Sequence, residues 1–80
     1  MTITKMHFNG IMIQNGDYLF VMSPTTDKYH IFKNPIWHIH IYHDYGGEID
    51  EMFFSDCTAK TAWYNFYHMA RRTVWYKNGR

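Results

Sequence analysis

Apolar and polar residues alternate with a period of two along residues 36–44 (IWHIHIYHD). Because successive side chains of a β-strand point to opposite faces, this period predicts a strand with one buried and one solvated face. The face predicted to be buried carries Trp37, Ile39 and Ile41, and the opposite face carries His38, His40 and Tyr42. The sequence therefore predicts a half-buried strand whose solvated face bears a His-x-His pair.

Shorter apolar runs predict the remaining strands, at residues 3–8, 11–14, 17–22, 29–33 and 48–54. Asn9-Gly10 and Asn15-Gly16 separate the first three runs, and Asn-Gly is the preferred central pair of a type I′ hairpin turn, where both residues need positive φ. These runs form either a tight meander or one hairpin with a bulge at Gly10. Residues 23–28 (SPTTDK) are predicted to be a loop, because Pro24 lacks a backbone donor.

The glycines of residues 45–47 (YGG) predict a tight turn between the long strand and the last one. A two-residue Gly-Gly loop would pair Ile41 with Met52 and Ile39 with Phe54. Cross-strand pairs of this kind stabilise a sheet, so these side chains are predicted to form one apolar face.

A helix is predicted to begin at Ser55 or Asp56, since a short oxygen-bearing side chain can accept hydrogen bonds from the free amides of a first helical turn. Apolar residues then recur at spacings of three and four, at Ala59, Ala62, Trp63, Phe66 and Ala70. The predicted helix covers residues 56–72 or continues to a cap at Asn78-Gly79, and a short strand at residues 73–76 is the alternative.

These elements predict an α+β fold in a single domain spanning residues 1–80, with an antiparallel meander sheet of four or five strands. One C-terminal amphipathic helix packs on one face of that sheet. A chain of 80 residues buries only about 60% of its unfolded surface, so the core is predicted to be thin.

Composition narrows the class of protein. Cys57 is the only cysteine, which excludes an intramolecular disulfide and a zinc site built on several thiolates.

No segment has the apolar length of a membrane span or the pattern of an export signal, which predicts a soluble, cytoplasmic protein without membrane contact. A net charge of +1 excludes an acidic DNA mimic and does not mark the whole chain as a nucleic-acid binder. Leu19 is the only leucine, and this aromatic-rich, leucine-poor composition suggests a viral or mobile-element origin.

The His-x-His pair is the main candidate for a metal site. His38 and His40 share a predicted strand face, and Glu51 on the neighbouring strand could supply a third ligand. The alternative is that this face is polar only because it meets solvent, and the requirement of closed zinc sites for four ligands favours that reading. On the other face, His43 and Asp50 are predicted to form a hydrogen-bonded pair near the turn.

Enzymatic readings find little support. Cys57 lies near the predicted helix N-terminus, where the helix dipole could activate a thiol, but no base is fixed nearby in sequence. Gly46-Gly47 belongs to a turn, because no Gly-x-x-x-x-Gly-Lys pattern follows it. We therefore predict no enzymatic activity and no cofactor.

The outer side of the predicted helix combines aromatic and basic residues. At 100° per residue, one sector away from the core carries Lys60, Tyr64, Tyr67, His68 and Arg71, joined by Trp75 if the helix continues. Tyrosine, tryptophan and arginine are enriched at interface hot spots, and the same set suits stacking on unpaired bases. A third reading is that the tyrosines extend a thin core around the flanks of the helix.

The sequence thus predicts a small non-enzymatic module that binds a larger protein, with a viral inhibitor of a host or defence protein as its specific form. A nucleic-acid-binding regulator using the basic aromatic helix is the alternative, and a metal-binding protein is the third reading. Homodimerisation through the uncovered sheet face or an edge strand is also predicted as a candidate mode of assembly.

Overall fold

The computed structural model describes residues 1–25, 35–43, 46–55 and 57–75. Their elements, in chain order, are β1 (Thr2–Lys5), a 3-10 turn (His7–Asn9), β2 (Ile11–Asn15), β3 (Tyr18–Thr25), β4 (Ile36–His43), β5 (Glu48–Phe54) and α1 (Ala59–Arg72). All neighbouring strands are antiparallel and the sheet order is β1-β2-β3-β4-β5. The predicted α+β meander with one C-terminal helix is confirmed.

The core lies between α1 and one face of the sheet. In β4 the predicted alternation is confirmed, because Ile39 and Ile41 are fully buried and Trp37 is 6% exposed. From α1, the buried residues Ala62, Phe66, Met69 and Ala70 complete the core. Ala62 and Ala70 are completely buried, so the small residues of the 14-residue helix lie on the side that faces the sheet.

The turn between β2 and β3 differs from the predicted one. Asn15 pairs with Tyr18, so the two central residues are Gly16 and Asp17, and only Gly16 has a positive φ, of 62°. Asn15 remains in β2, and its side-chain Nδ2 donates to the carbonyl oxygens of Ala70 and Arg71, each at 3.0 Å. Asn15 thus hydrogen-bonds the last turn of α1 instead of occupying a central position of the β2–β3 turn.

Two strands of the N-terminal half end at residues other than the predicted ones. β1 ends at Lys5 and a 3-10 turn follows, where Asn9 adopts the left-handed conformation with φ 64°. β3 continues to Thr25, through residues predicted to be a loop, and Pro24 pairs with Trp37 of β4. Met22 is the last β3 residue with a partner on β2, so among the described strands Pro24 has only β4 as a neighbour, a position that tolerates proline. The strand predicted at residues 29–33 lies outside the described residues.

The β4–β5 register is shifted by two residues from the predicted one. Met52 pairs with Ile39, and Asp50 pairs with Ile41. An even shift keeps every side chain on its predicted face, so the apolar face is retained. It also moves Asp50 away from a position opposite His43, whose ring instead contacts Tyr18 with centroids 4.8 Å apart.

A β-bulge interrupts this ladder between Ile41 and Tyr42, and Glu48 pairs with Tyr42. From Ile41 to Tyr42, β4 advances by one residue, while β5 advances by two, from Asp50 to Glu48. Ile49 is therefore the extra residue of the bulge. Beyond the bulge the alternation of β5 is inverted, which brings Glu48 to the face that carries His40.

The helix begins later and ends earlier than the longest prediction. Thr58, and not Ser55, is the N-cap, and its side-chain oxygen accepts from the Thr61 amide. Asp56, the other predicted cap, lies outside the described residues. The helix ends at Arg72 because Thr73 adopts the left-handed conformation, and neither helix nor strand continues to Trp75. The alternative cap at Asn78-Gly79 is outside the described residues.

The two cap candidates can be separated by mutation. Thr58→Ala should lower the free energy of unfolding by about 1 kcal/mol, since one amide of the first turn loses its acceptor. Ser55→Ala, the matched control, should change it by less than about 0.5 kcal/mol, as for an exposed residue away from such a feature. Urea denaturation measures the free energy of unfolding of both variants. If the two variants lost equal stability, Thr58 would not be the specific cap of α1.

Candidate functional site

The outer face of α1 carries most of the residues predicted to bind a partner. Tyr64 is 62% exposed, and its ring lies against His68 with centroids 4.4 Å apart. Lys60 and Arg71 are exposed on the same sector, one turn before and two turns after Tyr64. Tyr67 is partly buried at the flank, where its ring contacts Trp63 at 5.6 Å. We call Lys60, Tyr64, His68 and Arg71 the helix face.

The charge of this surface is of one sign. Residues 57–75 contain no aspartate or glutamate and carry Lys60, Arg71 and Arg72 as cations. Arginines in a last turn also interact favourably with the helix dipole, which accounts for part of their placement. Lys60 lies in the first turn, where the dipole disfavours a cation, so the dipole does not explain its position.

Trp75 does not belong to the helix face, contrary to the sequence-based prediction. Since α1 ends at Arg72, the chain turns back and Trp75 packs edge-on against Tyr18 and Phe20, with ring centroids 5.6 and 5.7 Å away. Its indole Nε1 donates to Asp50 Oδ2 at 2.9 Å. Trp75 is therefore a structural residue that ties the segment after α1 to the sheet.

On the opposite face of the sheet, His38, His40 and Glu51 come together as the alternation predicted. The two imidazole centroids are 4.0 Å apart. Glu51 Oε2 lies 3.0 Å from His38 Nε2 and 4.0 Å from His40 Nδ1. One ligand-type atom from each residue lies within 4.8 Å of the others, so the three side chains converge on a common point.

Glu48 is a further member of this group that sequence reasoning missed. Its Oε1 is in hydrogen-bond contact with His40 Nδ1, which also faces Glu51. A strict period of two places Glu48 on the core face with Asp50 and Met52, and only the bulge brings it to the histidines. No signal in the sequence marks that bulge. We call His38, His40, Glu48 and Glu51 the histidine cluster.

Other parts of the described surface offer less chemistry. A cleft of about 360 Å³ lies between the β1–β2 connection and the start of α1, lined by Met6, Gly10, Trp37 and Trp63 among others. Trp37 Nε1 is buried and has no hydrogen-bond partner among the described residues. The rest of this lining is mostly apolar, with Lys5 and Asn9 as its polar members, and it holds no paired acid and base.

The uncovered sheet face and the outer strands β1 and β5 are the surfaces predicted for homodimerisation. Phe53 on this face is 52% exposed, and Ile3 on β1 is 46% exposed.

No known protein family, curated protein or solved structure matches this chain. Within the described residues, no helix has both the length and the apolar character needed to cross a membrane.

Proposed function

We propose that this protein is a small non-enzymatic binding module whose helix face docks on an acidic surface of a larger protein. The observation that carries the proposal is Tyr64, a large aromatic side chain that is 62% exposed at the centre of a cationic surface. Burying such an exposed aromatic ring against a partner contributes a large favourable free energy of binding. Tyrosine is also among the residues enriched at interface hot spots.

Charge complementarity determines the kind of partner. Lys60 and Arg71 flank Tyr64 within a segment that has no acidic residue, so an acidic surface meets no like charge there. Complementary charges accelerate association and fix orientation, while the buried aromatic ring supplies affinity. A host or defence protein blocked by this contact is the form of the proposal that the composition suggests.

The contact between the Tyr64 and His68 rings and the small number of cations favour a protein partner over nucleic acid. The Tyr64 ring already contacts the His68 ring, which leaves less free face for stacking on unpaired bases. Only three cations lie in the described segment 57–75, fewer than the several phosphate contacts typical of tight nucleic-acid binding.

Replacing Tyr64 and Arg71 together by alanine should abolish partner binding and leave the circular dichroism spectrum unchanged, because both side chains are exposed. The measurement is capture from the native cellular background after nuclease treatment, followed by titration of the captured protein with wild type and variant. Lys5→Ala and Asn65→Ala are the matched controls, since they remove an exposed cation from β1 and an exposed side chain from another sector of α1.

Retention of the captured protein by the double variant, or its loss in both controls, would contradict the proposal. If single-stranded oligonucleotides bind instead, with affinity that falls steeply as salt is added, the helix face is a nucleic-acid surface. Loss of the folded spectrum in the double variant would show that Tyr64 and Arg71 support the fold.

A further inference from the structure

We propose that the histidine cluster is a binding site for one divalent metal ion, zinc or a neighbouring first-row metal that accepts imidazole and carboxylate ligands. This site lies on the sheet face opposite α1, so it is separate from the proposed docking surface. Two imidazoles and two carboxylates are the donor groups that zinc and its neighbours accept in proteins.

The distances suit a metal shell. Tetrahedral zinc with bonds of about 2.0–2.1 Å holds its donor atoms about 3.4 Å apart. His38 Nε2 and Glu51 Oε2 are 3.0 Å apart, and His40 Nδ1 and Glu51 Oε2 are 4.0 Å apart. Small rotations of these side chains would bring both separations to that value.

The charges suit a divalent ion. With neutral imidazoles, Glu48 and Glu51 give the cluster a formal charge of −2, which one divalent cation cancels. The described contacts already pair each histidine with a carboxylate; a bound ion would replace these contacts, and the single proton of each neutral imidazole would move to its other ring nitrogen.

The sheet holds the donors in place. His40 and Glu51 are directly paired across β4 and β5, and His38 is one pleat further along the same face. The ring of Phe53 stacks on His38 with centroids 4.3 Å apart and planes inclined by 21°, which restricts rotation of that imidazole. All four side chains are between a quarter and two-fifths exposed, at 25%, 30%, 36% and 38%, so an ion can enter from solvent.

Glu48 lies outside the three donors that are within 4.8 Å of one another, but its Oε1 contacts His40 Nδ1, so a rotation of its side chain would supply the fourth ligand of a closed zinc site. Three donors on regular strands would leave the shell incomplete, and Tyr42 and Phe53 beside them are poor ligands. The bulge brings a second carboxylate to His40 Nδ1. The competing explanation is a polar surface held by His–Glu hydrogen bonds alone, which predicts no stoichiometric metal.

The test is isothermal titration of the untagged, chelator-treated protein with Zn²⁺, repeated with Co²⁺ to record its visible absorption. We expect one ion per chain and the visible bands of four-coordinate cobalt. His40→Gln and Glu51→Gln should each weaken binding at least 10- to 100-fold, roughly the loss caused even by changes outside the ligand shell.

His43→Gln is the matched control, because His43 lies on the same strand and its ring contacts Tyr18 on the other face. It should bind zinc as the wild type does. Absence of binding, several weak equivalents untouched by the substitutions, or equal loss in His43→Gln would overturn the proposal. Circular dichroism identifies a variant that fails to fold, and Glu51→Gln, which keeps both histidines, then decides the question.

Discussion

Phe66→Ala is expected to lower the free energy of unfolding by about 3–5 kcal/mol, the range for removing a buried aromatic ring. Phe66 is completely buried in the middle of α1, where it faces the sheet. Its removal deletes apolar contacts and leaves a cavity that a closely packed core fills only in part. A domain of this size has a total stability of roughly 5–10 kcal/mol, so this one change should bring it near the threshold of unfolding.

Urea denaturation followed by tryptophan fluorescence measures this loss. Phe53→Ala is the control, because it removes the same kind of side chain from β5 at a position that is 52% exposed. It should lower the free energy of unfolding by less than about 1.5 kcal/mol, the upper end of the range for an aromatic stacking contact such as that with His38. A similar loss in both variants would mean that Phe66 does not hold the helix on the sheet.

Trp75→Ala should lower the free energy of unfolding by about 2–4 kcal/mol, somewhat less than for a fully buried aromatic residue. The indole is partly buried, packs against Tyr18 and Phe20, and donates to Asp50. Its loss would release the segment after α1 and expose part of the apolar face of β3.

Two neighbouring changes separate the contributions at Trp75. Trp75→Phe keeps a ring but removes the donor to Asp50, and should lower stability by about 1–2 kcal/mol. Val74→Ala is the control, because Val74 is 67% exposed, and it should have an effect below about 0.5 kcal/mol. If Trp75→Ala behaved like this control in urea denaturation, the packing of Trp75 would be energetically unimportant.

The long alternating strand was the most predictable part of the fold. β4 spans Ile36–His43, and its buried and solvated faces are those that the period of two predicts. Alternation fixes the faces because a buried face tolerates only apolar side chains. For the same reason, His38, His40 and Glu51 could be assigned to one face from the sequence, although the predicted register put Glu51 opposite Tyr42 and the structure pairs it with His40.

Register and turn geometry could not be predicted in the same way. A shift of two residues leaves the hydrophobic pattern unchanged, so the pattern cannot distinguish Met52 opposite Ile41 from Met52 opposite Ile39. The bulge that turns Glu48 to the histidines adds one residue to β5 without any residue type that requires it. The fourth member of the histidine cluster was therefore invisible in the sequence.

The limits of α1 depended on tertiary contacts. Ser55 and Thr58 are both competent N-caps, and propensity alone does not choose between them. At the other end, a left-handed Thr73 is unusual for a β-branched residue, so its role as the C-cap was not predictable. Placing Trp75 on an extended helix, and hence in the binding surface, followed from missing that stop.

Asn15 makes the end of α1 dependent on a hairpin that is distant in sequence. Its side chain donates to two carbonyls of the last helical turn, across sequence separations of 55 and 56 residues. Fraying of that turn therefore breaks contacts to the β2–β3 hairpin, and opening of the hairpin removes the partner of the helix end. The two elements are therefore expected to open together, and hydrogen exchange of the last turn of α1 should depend on a residue near the start of the chain.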